Sequence, residues 1–132
     1  MSNTFVPIAV LNDLIEGMTD GEHFNHYDPP HPPLPITGYI NGRVSKKITI
    51  NALGVAVAGK QDGSTTKEFD DCCIDQNTGG VVVTGFSKIT IDGLPVAMIG
   101  SKVKSHSGTS YVIEEGCNQQ IVRIKGTPDA EP

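Results

Sequence analysis

The sequence predicts a mostly β protein in which three β-hairpin repeats pack with pseudo-threefold symmetry into a small cone-shaped β-prism. Two observations carry this expectation. Val and Ile together number 25 against 11 for Leu and Ala, and β-branched side chains, stiff at χ1, suit a pleated surface better than a helix. The segment Lys47-Ile-Thr-Ile-Asn-Ala-Leu-Gly-Val-Ala-Val-Ala-Gly59 also aligns without gaps on Lys88-Ile-Thr-Ile-Asp-Gly-Leu-Pro-Val-Ala-Met-Ile-Gly100, with eight of 13 positions identical. A repeat of that kind decides the architecture before any single element does. A third, shortened copy, Val122-Arg-Ile-Lys-Gly-Thr-Pro128, overlays Ile89-Thr-Ile-Asp-Gly-Leu-Pro95 in its apolar alternation, turn glycine and proline, and it lacks the return strand.

Taken along the chain, the first element expected is a short helix over Leu11 to Met18, capped by Asn12 or Asp13. Ile36 to Ile40 reads as a short strand. In the first full repeat, the alternation of Ile48 and Ile50 gives a strand with one buried face, Asn51-Ala-Leu-Gly54 supplies turn formers, and Val55 to Ala58 is the return strand. Ile89 and Ile91, Asp92-Gly-Leu-Pro95 and Val96 to Ile99 repeat that hairpin. Between and after them run connections over Lys60 to Gly80 and Ser101 to Gly116, long enough to need a function or a clamp. Val81 to Thr84 and Tyr111 to Ile113 read as extra strands within them, and residues 127–132 as a frayed tail. A lone hairpin cannot bury enough apolar area to be stable, so the three units are expected to share a core around a common axis. The corresponding division is an extension over residues 1–19, one domain over 20–128 and a tail over 129–132.

Charge and composition exclude several functions. Of the 132 residues, the first 35 carry Asp13, Glu16, Asp20, Glu22 and Asp28 without one Lys or Arg, within a net charge of −5. No basic patch is visible and aromatics make up 5%, which argues against nucleic-acid binding. No apolar run approaches a membrane span and no basic segment opens a secretion signal, so a soluble protein made in the cytoplasm is expected. Cys72 and Cys73 are adjacent in an odd total of three, awkward for a disulfide framework.

All four His and all three Cys fall outside the repeated hairpins. His26 and His31 precede the first, Cys72 and Cys73 the second, His106 the third, so that each arm contributes one ligand-type group or pair. Under threefold packing these connections converge at one end of the axis, where imidazoles and a thiolate form a tetrahedral zinc site. His26, His31, Cys73 and His106 are the expected ligands, Cys72 being the alternative to Cys73, with His23 and Cys117 in reserve. Four protein ligands close the shell, and the chain has neither His-Glu-x-x-His nor Gly-x-Ser-x-Gly, so no enzyme is expected. The competing reading is a small zinc-dependent hydrolase or metal-dependent binding module with an open coordination position.

The repeats and ligand positions together resemble the PAAR repeat family, the spike-tip proteins of type VI secretion systems and contractile phage tails. Ile91-Asp-Gly-Leu-Pro-Val-Ala97 followed by Gly100-Ser101 is similar to the family's Ile-x-Gly-x-Pro-x-Ala motif, and Ile50-Asn-Ala-Leu-Gly-Val-Ala56 is a degenerate copy. His106 and Gly108 after Gly100-Ser101, and His26 and His31 in a Pro-rich segment, are similar to the family's ligand positions, with His replacing Cys. The literal Pro-Ala-Ala-Arg start is absent. The resemblance implies a membrane-piercing tip whose apex is pinned by one structural metal ion, zinc or iron. Its broad base would sit, one copy per trimer, on a homotrimeric β-helical spike of a contractile injection machine. It further implies transient contact with a target membrane and location at a virion tail tip or on a secreted apparatus; a third reading, compatible with this one, is an adaptor that docks effectors onto a spike through the acidic N-terminal segment.

Overall fold

The computed structural model describes residues 5–19, 34–69, 79–105, 108–115 and 117–129. Among them every regular element is a strand: β1 (Phe5–Pro7), β2 (Leu14–Thr19), β3 (Pro35–Gly42), β4 (Thr49–Ile50), β5 (Leu53–Gly54), β6 (Thr65–Phe69), β7 (Gly79–Val82), β8 (Phe86–Ile91), β9 (Leu94–Val96), β10 (Lys102–Ser105), β11 (Gly108–Val112) and β12 (Arg123–Lys125). The mostly β expectation therefore holds. Six strands close an antiparallel barrel in the order β10-β11-β2-β3-β6-β7, and three two-stranded sheets, β4-β5, β8-β9 and β1-β12, lie outside it.

The two repeated hairpins form where the alternation places them. Ile50 pairs with Leu53 and Ile91 with Leu94. Their turns are left-handed: Asn51 and Ala52 have φ of 55° and 65°, Asp92 and Gly93 of 53° and 85°. Two successive positive φ angles give the type I′ turn whose twist matches that of the flanking strands. Asn, Asp and Gly tolerate this region, whereas Ala52 bears the cost of a Cβ in it.

The third repeat contains the main departure from expectation. It does have a return strand, and residues near the start of the sequence supply it: β1 pairs with β12 through Phe5↔Lys125, Val6↔Ile124 and Pro7↔Arg123. Pro7-Ile-Ala-Val10 thus stands where Gly54-Val-Ala-Val57 and Pro95-Val-Ala-Met98 stand in the other repeats. Residues 5–19 are consequently no extension to the domain, since they provide β1 and the barrel strand β2.

The three equivalent segments meet in a ring. Ala9 N–H donates to the Ala97 carbonyl (3.0 Å), Ala97 N–H to that of Ala56 (2.9 Å), and Ala56 N–H to that of Ala9 (2.9 Å), and all three residues are fully buried. The flanking bridges Ile8↔Met98, Val10↔Val55 and Val57↔Val96 follow the same cyclic order. Three further turns obey it: the N–H groups of Val10, Val57 and Met98 donate to side-chain oxygens of Asp13, Ser64 and Ser101, each at 2.9 Å. The carbonyls of these three residues in turn accept from Ile40, Val82 and Val112 (3.0, 2.9 and 3.0 Å), seating the second barrel strand of each arm.

The ring separates two apolar layers. On one side Ile15, Ile40, Val82, Val103 and Val112 fill the barrel with the three alanine methyls. On the other, Ile8, Val10, Val55, Val57, Ile91, Val96, Met98 and Ile124 pack beneath the hairpins. Alternation along each three-residue segment sends its Ala into the barrel and its neighbours into the second layer.

Three smaller expectations are corrected. The helix over Leu11 to Met18 is instead a turn followed by β2: Asn12 has φ 74°, and burial from Leu14 to Met18 alternates with period two about the buried Ile15. The long connections contain β6, the start of β7, β10 and β11, so barrel strands take up part of what was expected to be loop. The tail is tied down through Asp129, whose N–H donates to the Gly85 carbonyl (2.8 Å) and whose carboxylate accepts from Ser87 N–H (3.1 Å).

Two outcomes follow for urea denaturation. Ala52→Gly should raise stability by about 0.5–1 kcal/mol, because it relieves a left-handed Cβ, while Gly93→Val should lower it by about 1–2 kcal/mol; equal midpoints would refute the turn assignment. Ala97→Leu, which forces three extra carbons onto the axis, should cost about 3 kcal/mol, and an unchanged midpoint would show that the axis has room.

Candidate functional site

Each arm enters and leaves the barrel at one rim. The pairings Thr19↔Gly108, Met18↔Pro35, Thr37↔Phe69, Lys67↔Gly79 and Ser105↔Gly80 bring the ends of β2, β6 and β10 level with the starts of β3, β7 and β11. The chain between these strand ends comprises residues 20–33, 70–78 and 106–107. His26 and His31 belong to the first, Cys72 and Cys73 to the second and His106 to the third. All four expected ligands, and His23, therefore lie outside the described residues.

Cys117, the remaining reserve, is described and lies elsewhere. It follows the end of β11 that is remote from the rim, its N–H donates to the Glu114 carbonyl (3.1 Å), and its Sγ accepts from Gln120 Nε2 (3.3 Å). Among the described residues no three His, Cys, Asp or Glu side chains gather as a cation cage, so any metal at the rim would draw on the connecting segments.

Just inside the rim the barrel lining changes from branched apolar side chains to small or polar ones. Counting four residues on from Asp13, Ser64 and Ser101 gives Gly17, Glu68 and Ser105; counting two back from Ile40, Val82 and Val112 gives Gly38, Gly80 and Ser110. Glu68 is the one large side chain in this layer and is 1% exposed. Thr66 Oγ1 donates to its Oε2 (3.2 Å) and itself accepts from Gly80 N–H (3.0 Å). On the opposite wall Ser110 Oγ is buried without a hydrogen-bond partner, a group that costs about 1–3 kcal/mol unless something polar meets it. Glu68 and Ser110 thus place a carboxylate and a hydroxyl in the small-residue layer just inside this rim. Sequence reasoning missed Glu68, because the alternation Thr66, Glu68 against Thr65, Lys67 does not reveal which polar face is turned inward.

The opposite end carries a second feature. The apolar row that buries Ile91 and Ile124 and half-buries Ile50 continues two residues further to Ile48, Ile89 and Val122, which are 48%, 38% and 39% exposed. The repeat overlay makes these three positions equivalent, so one chain presents three matched apolar residues, one per hairpin, with Phe5 and Ile121 also exposed.

Asp13 takes the place that serine occupies in the other repeats. It is fully buried, and its carboxylate accepts from Val10 N–H (2.9 Å), Asn118 N–H (2.7 Å) and Asn118 Nδ2 (3.0 Å). Burial raises its pKa above the ordinary 3.8, outweighing the hydrogen bonds, which act to lower it.

Scans against protein-family models, curated proteins and solved structures return no match for the chain.

The raised Asp13 pKa fixes the sign of a pH effect. Between 3.8 and the folded value, the folded state keeps a proton that the unfolded chain has released. This contribution is complete below 3.8 and is lost as pH rises through the folded pKa. Urea denaturation of the wild type and Asp13→Ser across that window should show a downward trend with pH present only in the wild type; parallel curves would remove the assignment.

Proposed function

We propose that this chain is the tip of a contractile injection spike: a metal-pinned cap seated as a single copy on a homotrimeric β-helical partner. The observation that carries the reading is the threefold ring at Ala9, Ala56 and Ala97, with its equivalent caps and hairpins, built by one polypeptide. A single chain with this internal threefold symmetry completes the ring without other copies of itself. It gains a way to meet a true threefold axis with one equivalent surface per partner chain.

The two ends then divide the work. Ile48, Ile89 and Val122 offer each chain of the partner the same apolar contact, and burying them supplies the adhesion. At the rim, His26, His31, Cys73 and His106 would hold one structural zinc or iron ion. A metal held by those residues would link the connections of the three arms, and its binding energy would then count as folding energy. Such an apex is stiff enough to meet a membrane under load. Its function is mechanical, with no enzymatic step.

Two measurements test this. Elemental mass spectrometry on untagged protein should find about one equivalent of zinc or iron, lost together with thermal stability in His106→Ala; a metal-free wild type would remove the pin. The triple variant Ile48→Glu, Ile89→Glu, Val122→Glu should bind a trimeric β-helical spike at least about 100-fold more weakly, while its own denaturation midpoint changes little, since the replaced side chains are exposed. Binding at more than one copy per trimer, or binding indifferent to the triple substitution, would overturn the docking geometry.

A further inference from the structure

The three arms share a backbone and a core, but their outward faces differ in charge. One and three residues beyond Asp13, Ser64 and Ser101, the second arm carries Thr65 and Lys67 and the third Lys102 and Lys104, whereas the first carries Leu14 and Glu16. All six stand on the outer wall of the barrel, because their strand neighbours Ile15, Thr66, Glu68 and Val103 are the buried, inward residues. The first arm thus has an apolar residue and a carboxylate where the others place lysines. A partner with threefold symmetry offers every arm the same group and cannot match both kinds of face. The reversed wall therefore suits a partner that approaches from one side.

The same wall collects the exposed apolar surface of the barrel. Among the described residues, Leu14, Met18, Phe69 and Tyr111 are the large apolar side chains exposed on the barrel strands, at 40%, 49%, 41% and 46%, and all lie on β2, β6 or β11. Contiguous apolar surface of this kind marks an interaction site. Strand register sets it around Glu16. Tyr111 and Thr37 lie opposite Glu16 on either side and Phe69 lies opposite Thr37; in the next row Tyr39 stands between Leu14 and Lys67. A groove of about 240 Å³ runs between Leu14, Glu16, Thr37, Tyr39, Phe69 and Ile113. One side of it already holds a cation, since Lys67 Nζ stands 5.8 Å from the centroid of the Phe69 ring. On the other side the Glu16 carboxylate has no hydrogen bond or ion pair among the described residues.

We propose that this wall is a docking site for a protein segment that places one arginine or lysine between apolar residues. The apolar neighbours cover Leu14, Tyr39 and Phe69, and the cation meets Glu16 while its aliphatic stem lies along the ring of Tyr111. Arginine fits best, because its planar fork pairs with a carboxylate through two N–H groups and also stacks on an aromatic ring. Lys67 repels a cation from the far side of the groove and so fixes the direction in which the segment lies. The site is independent of what the hairpin end or the rim binds.

The test is an NMR titration of the full chain with the capped peptide acetyl-Leu-Val-Arg-Val-Leu-amide and with its counterpart carrying Glu in place of Arg. In the wild type, shift changes should be confined to β2, β3, β6 and β11, and the Arg peptide should bind about 5- to 10-fold more tightly than the Glu peptide. Glu16→Lys should reverse that order. Leu14→Thr, which installs the residue type of the second arm, should weaken both peptides to the same degree while the denaturation midpoint stays unchanged, since Leu14 is exposed. Equal affinity for the two peptides, shift changes centred on the hairpin end, or no saturation by either peptide at millimolar concentration would overturn the proposal. A wild type that sediments as a dimer, and as a monomer after Glu16→Lys, would also overturn it by assigning the wall to a second copy of this chain.

Discussion

Ala9, Ala56 and Ala97 donate to one another's carbonyls in a closed cycle of three backbone hydrogen bonds, and the rest of the molecule is arranged around that cycle. Three strands can converge on one axis only if their side chains there are as small as a methyl group, which is why the central residue of each segment is alanine. Each N–H and C=O of the cycle is satisfied by another repeat, so no single repeat can satisfy its own central backbone. The ring couples the arms because it leaves none of them an independent folded state.

Completing the ring depends on residues distant in sequence. The third hairpin exists only when Phe5–Pro7 reaches Arg123–Lys125. Polar side chains hold this closure alongside the apolar layer of Ile8, Val10 and Ile124. Gln119 Nε2 donates to the Ile8 carbonyl (2.7 Å) and to that of Val122 (2.9 Å), its Oε1 accepts from Val122 N–H (2.8 Å), and Asn118 donates to Asp13. The segment between β11 and β12 is thus tied to the segment between β1 and β2 by buried amide and carboxylate groups. Contacts of such sequence separation are entropically costly to form and slow folding. They also make the two distant segments part of one cooperative unit instead of frayed ends.

The symmetry is one of backbone and core, and the departures from it are local. Ser64 lies seven residues beyond Val57, whereas Asp13 and Ser101 lie three beyond Val10 and Met98, yet each returns its side-chain oxygen to the same N–H. The extra residues bulge outward without moving the cap. Glu68 is the departure inside the barrel, and Asp13 the one at the clasp. Asp13 accepts from Val10 and Asn118 at the clasp, and Glu68 accepts from Thr66 inside the barrel. The equivalent apolar residues at the hairpin end and the polar throat at the rim give the two ends opposite chemical character.

Much of this was legible in the sequence. The hairpins follow from period-two alternation and from Asn51-Ala52 and Asp92-Gly93, because side-chain alternation and left-handed turn preference are local properties of a few residues. The division of His and Cys among the arms is equally visible, since it needs only the order of the repeats. Other features depended on distant partners. Leu11, Leu14, Ile15 and Met18 stand at spacings that suit a helix, and pairing with β3 and β11 made the segment a strand in which Ile15 alone of the four is buried. A three-residue strand such as Phe5–Pro7 has too few positions to show a period, so its role as the missing half of the third hairpin could come only from the chain that it meets. The polar face of β6 is likewise turned inward by closure of the barrel. Local stereochemistry is written in neighbouring residues, whereas burial is decided by whichever distant segment arrives to cover a face.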